Sequence, residues 1–378
     1  MVISKHDKSF IIFLKKIYNQ RIFILAGANS FFKSGANIYF EKYIDKKNLK
    51  FFFKKKEYPD ITELKKIISA IKKFKPKYIL AVGGGSVMDY AKIACNINDV
   101  KNLNKIIKSS NKDYKKVAKL ITIPTTAGSG SEVTSGAVVY INKIKFSVEG
   151  QEIVPDKFFL IPKLVINNSK SLKGTSGFDA ISQSIESLMS RRSNSRSVNY
   201  AKKSLKISFK NYLSHITRPT LDNSLKMLQA ANLAGKAISI SKTTAPHAVS
   251  YPFTSHLGIS HGNAVSLTLN EFLYFNYKNL KKSDVKFNLK KRFELLFKIS
   301  GTKSIHGFLR YMQKLKNTAN TEKKFYDMKK NKSKIVKQVL TGINIDRLSN
   351  NPVKLTKMDI KKIIESKFKV YKNFNLSE

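Results

Sequence analysis

The chain lacks the features that mark a membrane-embedded or disulfide-built protein. No apolar run approaches the roughly 20 residues needed to span a bilayer. A single cysteine, Cys95, excludes an internal disulfide and fits a reducing cytoplasm. The first twenty residues mix Lys with short apolar runs such as Ile11-Ile12-Phe13-Leu14. They contain no apolar stretch leading to a small-residue cleavage site, so no signal peptide is expected. Acidic residues are scarce: 25 Asp and Glu stand against 71 Lys and Arg, a formal net charge of +46. That surplus invites a nucleic-acid reading. Arginines are few, however, and the lysines run along the whole chain among abundant Asn and Ile, as biased codon usage produces. A dedicated binding segment would concentrate Arg and aromatics. Neither nucleic acid nor a membrane is the expected partner. Internal repeats and low-complexity linkers are absent, and 323–337 is expected to be a solvated charge run.

What is present fits two domains, since 378 residues exceed one small core. In the first half, short β-like runs alternate with helical ones. Arg21 to Ala26, Leu49 to Phe53, Tyr78 to Val82 and Leu120 to Ile123 read as strands or apolar stretches. Gly27 to Ser30 reads as a turn, and Leu64, Ile67, Ile68 and Ile71 give 61–74 a helical period. Strand, helix and strand in this rhythm predict a parallel sheet with crossover helices. After about residue 172 the pattern turns helical, over 176–213, 221–240, 261–273, 285–300 and 358–369. The expected division is a nucleotide-binding α/β domain over 1–172 and a helical metal- and substrate-binding domain over 173–378.

Gly83-Gly84-Gly85-Ser86 stands between the strand 78–82 and an expected helix at 87–92. Glycines there let the backbone approach a pyrophosphate at a helix N-terminus, although a plain strand–helix turn has the same composition. The next strand ends in Pro124-Thr125-Thr126-Ala127-Gly128-Ser129-Gly130-Ser131-Glu132-Val133-Thr134, rich in hydroxyl groups suited to a polar ligand or to an exposed loop. Two such loops after two strands of one sheet converge on its carboxyl edge.

These two segments, Gly-Gly-Gly-Ser-x-x-Asp-x-Ala-Lys at 83–92 and the hydroxyl-rich run at 124–134, resemble the signatures of iron-containing (group III) alcohol dehydrogenases. The resemblance extends to Asn351-Pro352 and Leu355-Thr356 before the last helix. It implies a dehydroquinate synthase-like fold, a homodimer, and NAD(H) or NADP(H) across a cleft. Gly84, Gly85 and Ser86 would hold the pyrophosphate, and Thr125, Thr126 and Ser129 would line the nucleotide. Lys145, after an expected strand at 137–141, would lie near the nicotinamide ribose, and Asp89 would cap the helix region after the glycines. Gly27 stands where many NAD-specific members carry Asp. It leaves room for a 2′-phosphate, with Asn29, Ser30 and Lys33 nearby, or else simply serves the turn.

Asp179 and Gln183 are four apart on one helix face, and His247 and His261 follow downstream. Two histidines fourteen apart mean little alone. The family binds its divalent metal, Fe²⁺ or Zn²⁺ here, through Asp and three His, and Asp179, His247 and His261 match three of those positions. Gln183 replaces the fourth, and an amide oxygen binds borderline metals less well than imidazole. His256 is open to a ligand, proton-handling or surface role. No Ser–His–Asp set or paired acids compete. A metal acting as Lewis acid serves carbonyl reduction, and His247 and His261 would belong to the catalytic centre.

The stretches 177–187 and 242–248 resemble the phosphonoacetaldehyde reductase branch of the family. Lys242 precedes His247 by five residues, with Thr243 and Thr244 beside it, and would act on a phosphonate. Arg191, Arg192 and Arg196 hold three of the eight arginines and suit oxyanions. A solvated role for each is the competing reading. The expected substrate is a small anionic aldehyde or alcohol. A generic short-chain alcohol or diol dehydrogenase, or a weakly active nucleotide-binding homologue lacking the metal, are the alternatives.

Overall fold

A computed structural model describes residues 5–109, 114–142, 144–322, 325, 332–343 and 345–369. Its contacts gather the chain into two compact units, Met1–Ser169 with Thr217–Gly235, and Lys170–Ile216 with Lys236–Glu378. The expected boundary at 172/173 therefore falls inside a helix, and a later segment returns to the first unit.

The first unit holds α1 (Lys5–Lys16), β1 (Ile22–Gly27), α2 (Ala28–Lys33), α3 (Ala36–Tyr43), β2 (Leu49–Lys54), α4 (Ile61–Phe74), β3 (Tyr78–Gly83), α5 (Gly85–Asn96), α6 (Leu103–Lys108), β4 (Lys119–Pro124), β5 (Gly136–Ile141), β6 (Ile144–Glu149), β7 (Lys157–Phe158) and α7 (Lys163–Ile166). Five strands form one sheet in the order β2-β1-β3-β4-β7, and each pair is parallel. Alternate side chains of β1 explain why both faces are covered. Phe23 and Leu25 pack with Leu64, Ile68 and Met88 of α4 and α5. Ile22, Ile24 and Ala26 pack with Phe10 and Leu14 of α1 and Phe40 of α3. A strand buried on both faces reads as a continuous apolar run, as 22–26 does. The Asp60 side chain accepts from Thr62 N (2.9 Å) and starts α4, and Lys75 in the left-handed region ends it.

The strand expected at 137–141 is present, and two other expectations change. The strand at 137–141 is β5, which pairs antiparallel with β6 in a separate hairpin and stands outside the parallel sheet. Ala28–Ser30 enter the short helix α2 directly, with no preceding turn. Asp89 is the fifth residue of α5 and caps nothing: its Oδ1 accepts from Ser131 Oγ at 2.9 Å.

The second unit is built on α8 (Lys170–Met189), α9 (Ser195–Thr217), the end of α10 (Leu221–Ser241), α11 (Ala245–Leu257), α12 (His261–Lys278), α13 (Leu289–Ser300), α14 (Ile305–Ala319), α15 (Lys332–Gly342) and α16 (Lys357–Lys369). The single helix expected over 176–213 is two, broken at 190–194. Ser190 Oγ turns to Ser241 O (2.6 Å), and Asn194 Oδ1 accepts from Ser197 N (3.0 Å), so Ser and Asn end and restart the helix without Gly or Pro. The helix expected from Val285 begins at Leu289, where Asn288 caps it. Within the charge run, 323, 324 and 326–331 lie outside the described residues. Its last part is helical, with Ile335 and Val336 buried in the core of this unit, so that part is an amphipathic helix.

Candidate metal centre and nucleotide-binding edge

α8 is buried from Gly177 through Met189, and three of its polar side chains, Asp179, Gln183 and Glu186, are 5%, 3% and 1% exposed. Polar groups at that depth need partners. Glu186 finds them at the start of α11. Its Oε2 accepts from Thr244 N (2.8 Å), Thr244 Oγ1 (3.0 Å) and His247 N (3.4 Å), and its Oε1 meets His247 Nδ1. One carboxylate thus caps a helix N-terminus and orients the imidazole. With Nδ1–H donated to Glu186, Nε2 is the ligand end of the ring, and it points at Asp179 Oδ1, 3.3 Å away. His261, the first residue of α12 and half-exposed, brings its Nε2 to 3.9 Å from the same oxygen. The two imidazoles meet at 68°, centroids 5.3 Å apart.

A carboxylate oxygen and two ring nitrogens therefore lie within 4.8 Å of one another. Bond lengths of about 2 Å to nitrogen and oxygen let one first-row divalent ion bridge such a set, and its donors suit Fe²⁺ or Zn²⁺. Gln183 points its Nε2 at Asp179 Oδ2 (3.2 Å). Burial alone would lower the His247 pKa, but Glu186 and then Asp179 outweigh it and raise it to about 9. His256 is exposed on α11 beside Gly342 and stands outside this group.

In the first unit, β3 and β4 are in register from Tyr78 and Lys119 to Gly83 and Pro124, and Thr125 N donates to Gly83 O (3.0 Å). This places the loop after β4 against the N-terminus of α5, which has no side-chain cap. A Cβ on Gly84 would stand 3.3 Å from Thr126 Oγ1, and one on Gly85 would stand 3.0 Å from Ser129 Oγ. Backbone amides of a helix start, closely approached by hydroxyl groups, are what a pyrophosphate requires. Ser86 is the second residue of that helix, and Thr125 Oγ1 is buried with no hydrogen-bond partner among the described residues. Gly130, with φ +61°, packs its backbone on α10: a Cβ there would stand 2.4 Å from Ala231 O and 2.7 Å from Gly235 Cα. That close approach explains why 217–235 belongs with the first unit.

Behind the loop lies a buried polar network that the sequence did not announce. Lys92 Nζ donates to Ser131 Oγ (3.0 Å), Thr134 O (2.9 Å), Thr134 Oγ1 (2.6 Å) and Gly136 O (3.0 Å). Burial lowers its pKa to about 8. Asp89 faces Lys92 and Lys145, yet burial dominates and raises its carboxyl. Gly27 ends β1 in extended conformation, and a Cβ there would meet Ser30 Oγ at 3.0 Å and Lys54 Cε at 3.9 Å.

The sequence profile described as "Iron-containing alcohol dehydrogenase" matches residues 9–162, and that described as "Fe-containing alcohol dehydrogenase family, C-terminal" matches residues 174–368. The chain belongs to the iron-containing alcohol dehydrogenase family. Phosphonoacetaldehyde reductase of Streptomyces viridochromogenes is 29% identical over 209 residues, 52% of this chain and 53% of that protein. The 1-propanol dehydrogenase PduQ of Salmonella typhimurium is 27% identical over 58% of this chain and 56% of its own. The match thus spans about half the length of these curated relatives. Among solved structures, sulfoacetaldehyde reductase from Bifidobacterium kashiwanohense, in complex with NAD+, superposes with a TM-score of 0.81 at 25% identity over 95% of both chains. The resemblance carried by 83–92 and 124–134 is borne out, as is the dehydroquinate synthase-like fold of an α/β part followed by a helical one. No helix among the described residues is long and apolar enough to cross a membrane.

Of the expected site residues in this family member, Asp179, Gln183, His247 and His261 are brought together. Gly84, Gly85, Thr126 and Ser129 meet at the edge of the sheet. Lys242 ends α10 in the left-handed region (φ 58°), five residues before His247. Thr244 spends its hydroxyl on Glu186. Arg191 pairs with Asp284 (2.7 Å), and Arg196 lies over Tyr200 at 5.9 Å. Glu186 was missed, although its place seven residues after Asp179, on the same helical face, was the available signal.

Proposed function

We propose that this chain is a metal-dependent, NAD(P)-linked aldehyde reductase (alcohol dehydrogenase in reverse) acting on a small anionic aldehyde such as phosphonoacetaldehyde. The observation that carries the reading is the Asp179–His247–His261 group, with Glu186 setting the His247 ring. The anionic substrate is supported by two relatives, a phosphonoacetaldehyde reductase and a sulfoacetaldehyde reductase, both named for two-carbon aldehydes with an anionic head. The propanol dehydrogenase relative favours a neutral short-chain alcohol as the second reading.

Asp179, His247 and His261 would hold the ion, with Gln183 at the Asp179 carboxylate. When bound, the ion polarises the carbonyl and the nicotinamide supplies the hydride. Glu186 keeps Nε2 of His247 turned to the centre, and burial of Asp179, Gln183 and His247 excludes water from that side. The amides at the start of α5 and the hydroxyl groups of Thr125, Thr126 and Ser129 would bind the nucleotide, with Lys145 and Asp89 nearby. Gly27 presents no carboxylate at the end of β1 and Lys54 lies beside it, which favours acceptance of NADPH as well as NADH.

Steady-state rates with phosphonoacetaldehyde, propanal and butanal test this directly. The anionic aldehyde should be preferred in kcat/KM, and equal values would leave only the second reading. His261→Ala should lose both bound metal and turnover while keeping nucleotide binding; a variant with undiminished turnover refutes the metal centre.

A further inference from the structure

Arg347 lies on the 3-10 turn Ile345–Asn350. Its guanidinium carbon stands 5.2 Å over the ring of Tyr251, and its N–H groups hydrogen-bond the Tyr251 hydroxyl. The Tyr251 ring in turn lies parallel to that of His261, with planes at 4° and centroids 5.7 Å apart. Arg347 thus contacts Tyr251, and Tyr251 stacks on His261 of the metal-ligating group.

The turn that carries Arg347 is fixed by a buried amide. Asn350 Nδ2 donates to Ser241 O (2.9 Å) and Thr243 O (2.7 Å), and Asn350 Oδ1 accepts from Ser190 Oγ (3.0 Å) and Arg192 N (3.3 Å). Asn350 is 6% exposed and Ser190 is fully buried. All four contacts are to the ends of α8 and α10 or the approach to α11, the same segments that place Glu186 and His247. The backbone turn that carries Arg347 is therefore tied to the segments that place the metal ligands.

We infer that Arg347, held by Tyr251 and by the Asn350 clamp, binds the anionic head of the substrate while the carbonyl end lies at Asp179, His247 and His261. The inference rests on the aldehyde-reductase reading. Asp179 and Glu186 balance the charge of a divalent ion, and Arg347 adds a fixed positive charge beside them. A guanidinium carries five N–H donors, more than one tyrosine hydroxyl takes up, and grips oxyanions of the phosphonate or sulfonate kind by its planar edge. The arginines singled out by their clustering are placed differently: Arg191 faces Asp284 at the surface and Arg196 lies over Tyr200.

The test compares the parent with Arg347→Ala, Arg347→Lys and Lys242→Ala in three measurements. The first is the ratio of kcat/KM for phosphonoacetaldehyde to that for propanal. The second is calorimetric binding of ethylphosphonate to the metal-loaded protein, and the third is metal content. Arg347→Ala should lower the ratio roughly ten- to a hundredfold, through KM, and weaken ethylphosphonate by a similar factor at unchanged metal content. Arg347→Lys should recover part of both, because a point charge replaces the fork. An unchanged ratio in Arg347→Ala, or a loss confined to Lys242→Ala, overturns the assignment. Should no aldehyde be reduced by the parent, the functional reading fails alone. Ethylphosphonate binding then still decides: weaker binding by Arg347→Ala supports the anion site, and equal binding removes it.

Discussion

A carboxylate that is 1% exposed costs several kcal/mol unless its oxygens are engaged. Glu186 engages both, one on His247 Nδ1 and the other on the first amides of α11. Its charge therefore does two jobs, holding the ring and raising the basicity of the ligand nitrogen. Glu186→Gln keeps an oxygen for Thr244 N but removes the negative charge from Nδ1–H. It should weaken metal binding roughly ten- to a hundredfold, read by competition with a chelator, with little loss of fold. Unaltered affinity would show that His247 needs no partner. At this scale the sequence was most legible through its resemblance to a family. Asp179, His247 and His261 stood out because they match that family's ligand positions, whereas two histidines fourteen apart carry little by themselves. Glu186 and Arg347 did not stand out: Glu186 shares a helical face with Asp179, but its partner His247 lies 61 residues on, and the partner of Arg347, Tyr251, lies 96 residues away.

Helices and strands were legible where apolar periodicity set them, as in α4 and in the strands at 22–26 and 78–82. They were less so where side chains end an element. Nothing in residues 190–194 resembles a strong breaker, and the stop there depends on Ser190 reaching Ser241 and Asn350 across the fold. A second device of this kind ties α12, α14 and α16. Glu322, 5% exposed, meets Lys367 Nζ at 2.7 Å and Lys316 Nζ at 3.4 Å, while Lys367 also reaches Glu271 at 3.0 Å. Burial alone would raise the Glu322 pKa, but Lys316 and then Lys367 outweigh it and hold the carboxyl at about 2, below its ordinary 4.5. A carboxyl depressed in the folded state stabilises fully above its unfolded pKa and loses that contribution as pH falls towards the folded one. Stability should therefore decline between pH 4.5 and 2, by on the order of 2–3 kcal/mol from this group. Glu322→Gln should cost about 3 kcal/mol near neutrality, and the deficit should shrink in acid. Denaturant midpoints at neutral pH and near pH 3 measure both; an equal deficit at the two would mean that packing, not charge, is what the residue supplies.

Across the whole molecule the excess of 71 basic over 25 acidic residues is the largest single number in the sequence. Its distribution along the chain argued against a nucleic-acid segment. Composition gave no hint that Lys92, Lys173, Lys316 and Lys367 are buried, at 0%, 5%, 1% and 3% exposure. Lys92 ties the loop after β4 to α5, and Lys316 and Lys367 hold Glu322, so part of the positive charge is structural. Most of the other basic residues among those described are exposed or partly exposed, and their charge acts at a distance. Nicotinamide nucleotides carry negative phosphates, and a phosphonate substrate is an anion as well, so a net charge of +46 should steer both towards the protein. Such steering is screened as the Debye length shrinks from about 30 Å at 0.01 M salt to about 8 Å at 0.15 M. Between those salt concentrations kcat/KM for NADPH should fall roughly three- to tenfold, whereas kcat at saturation should hardly move, since screening acts on encounter and not on the bound complex. The phosphonate aldehyde should follow the nucleotide, and propanal, which is neutral, should show no such slope. If kcat/KM for NADPH and for propanal responded to salt alike, the charge would be acting on the stability of the protein and not on the approach of its ligands.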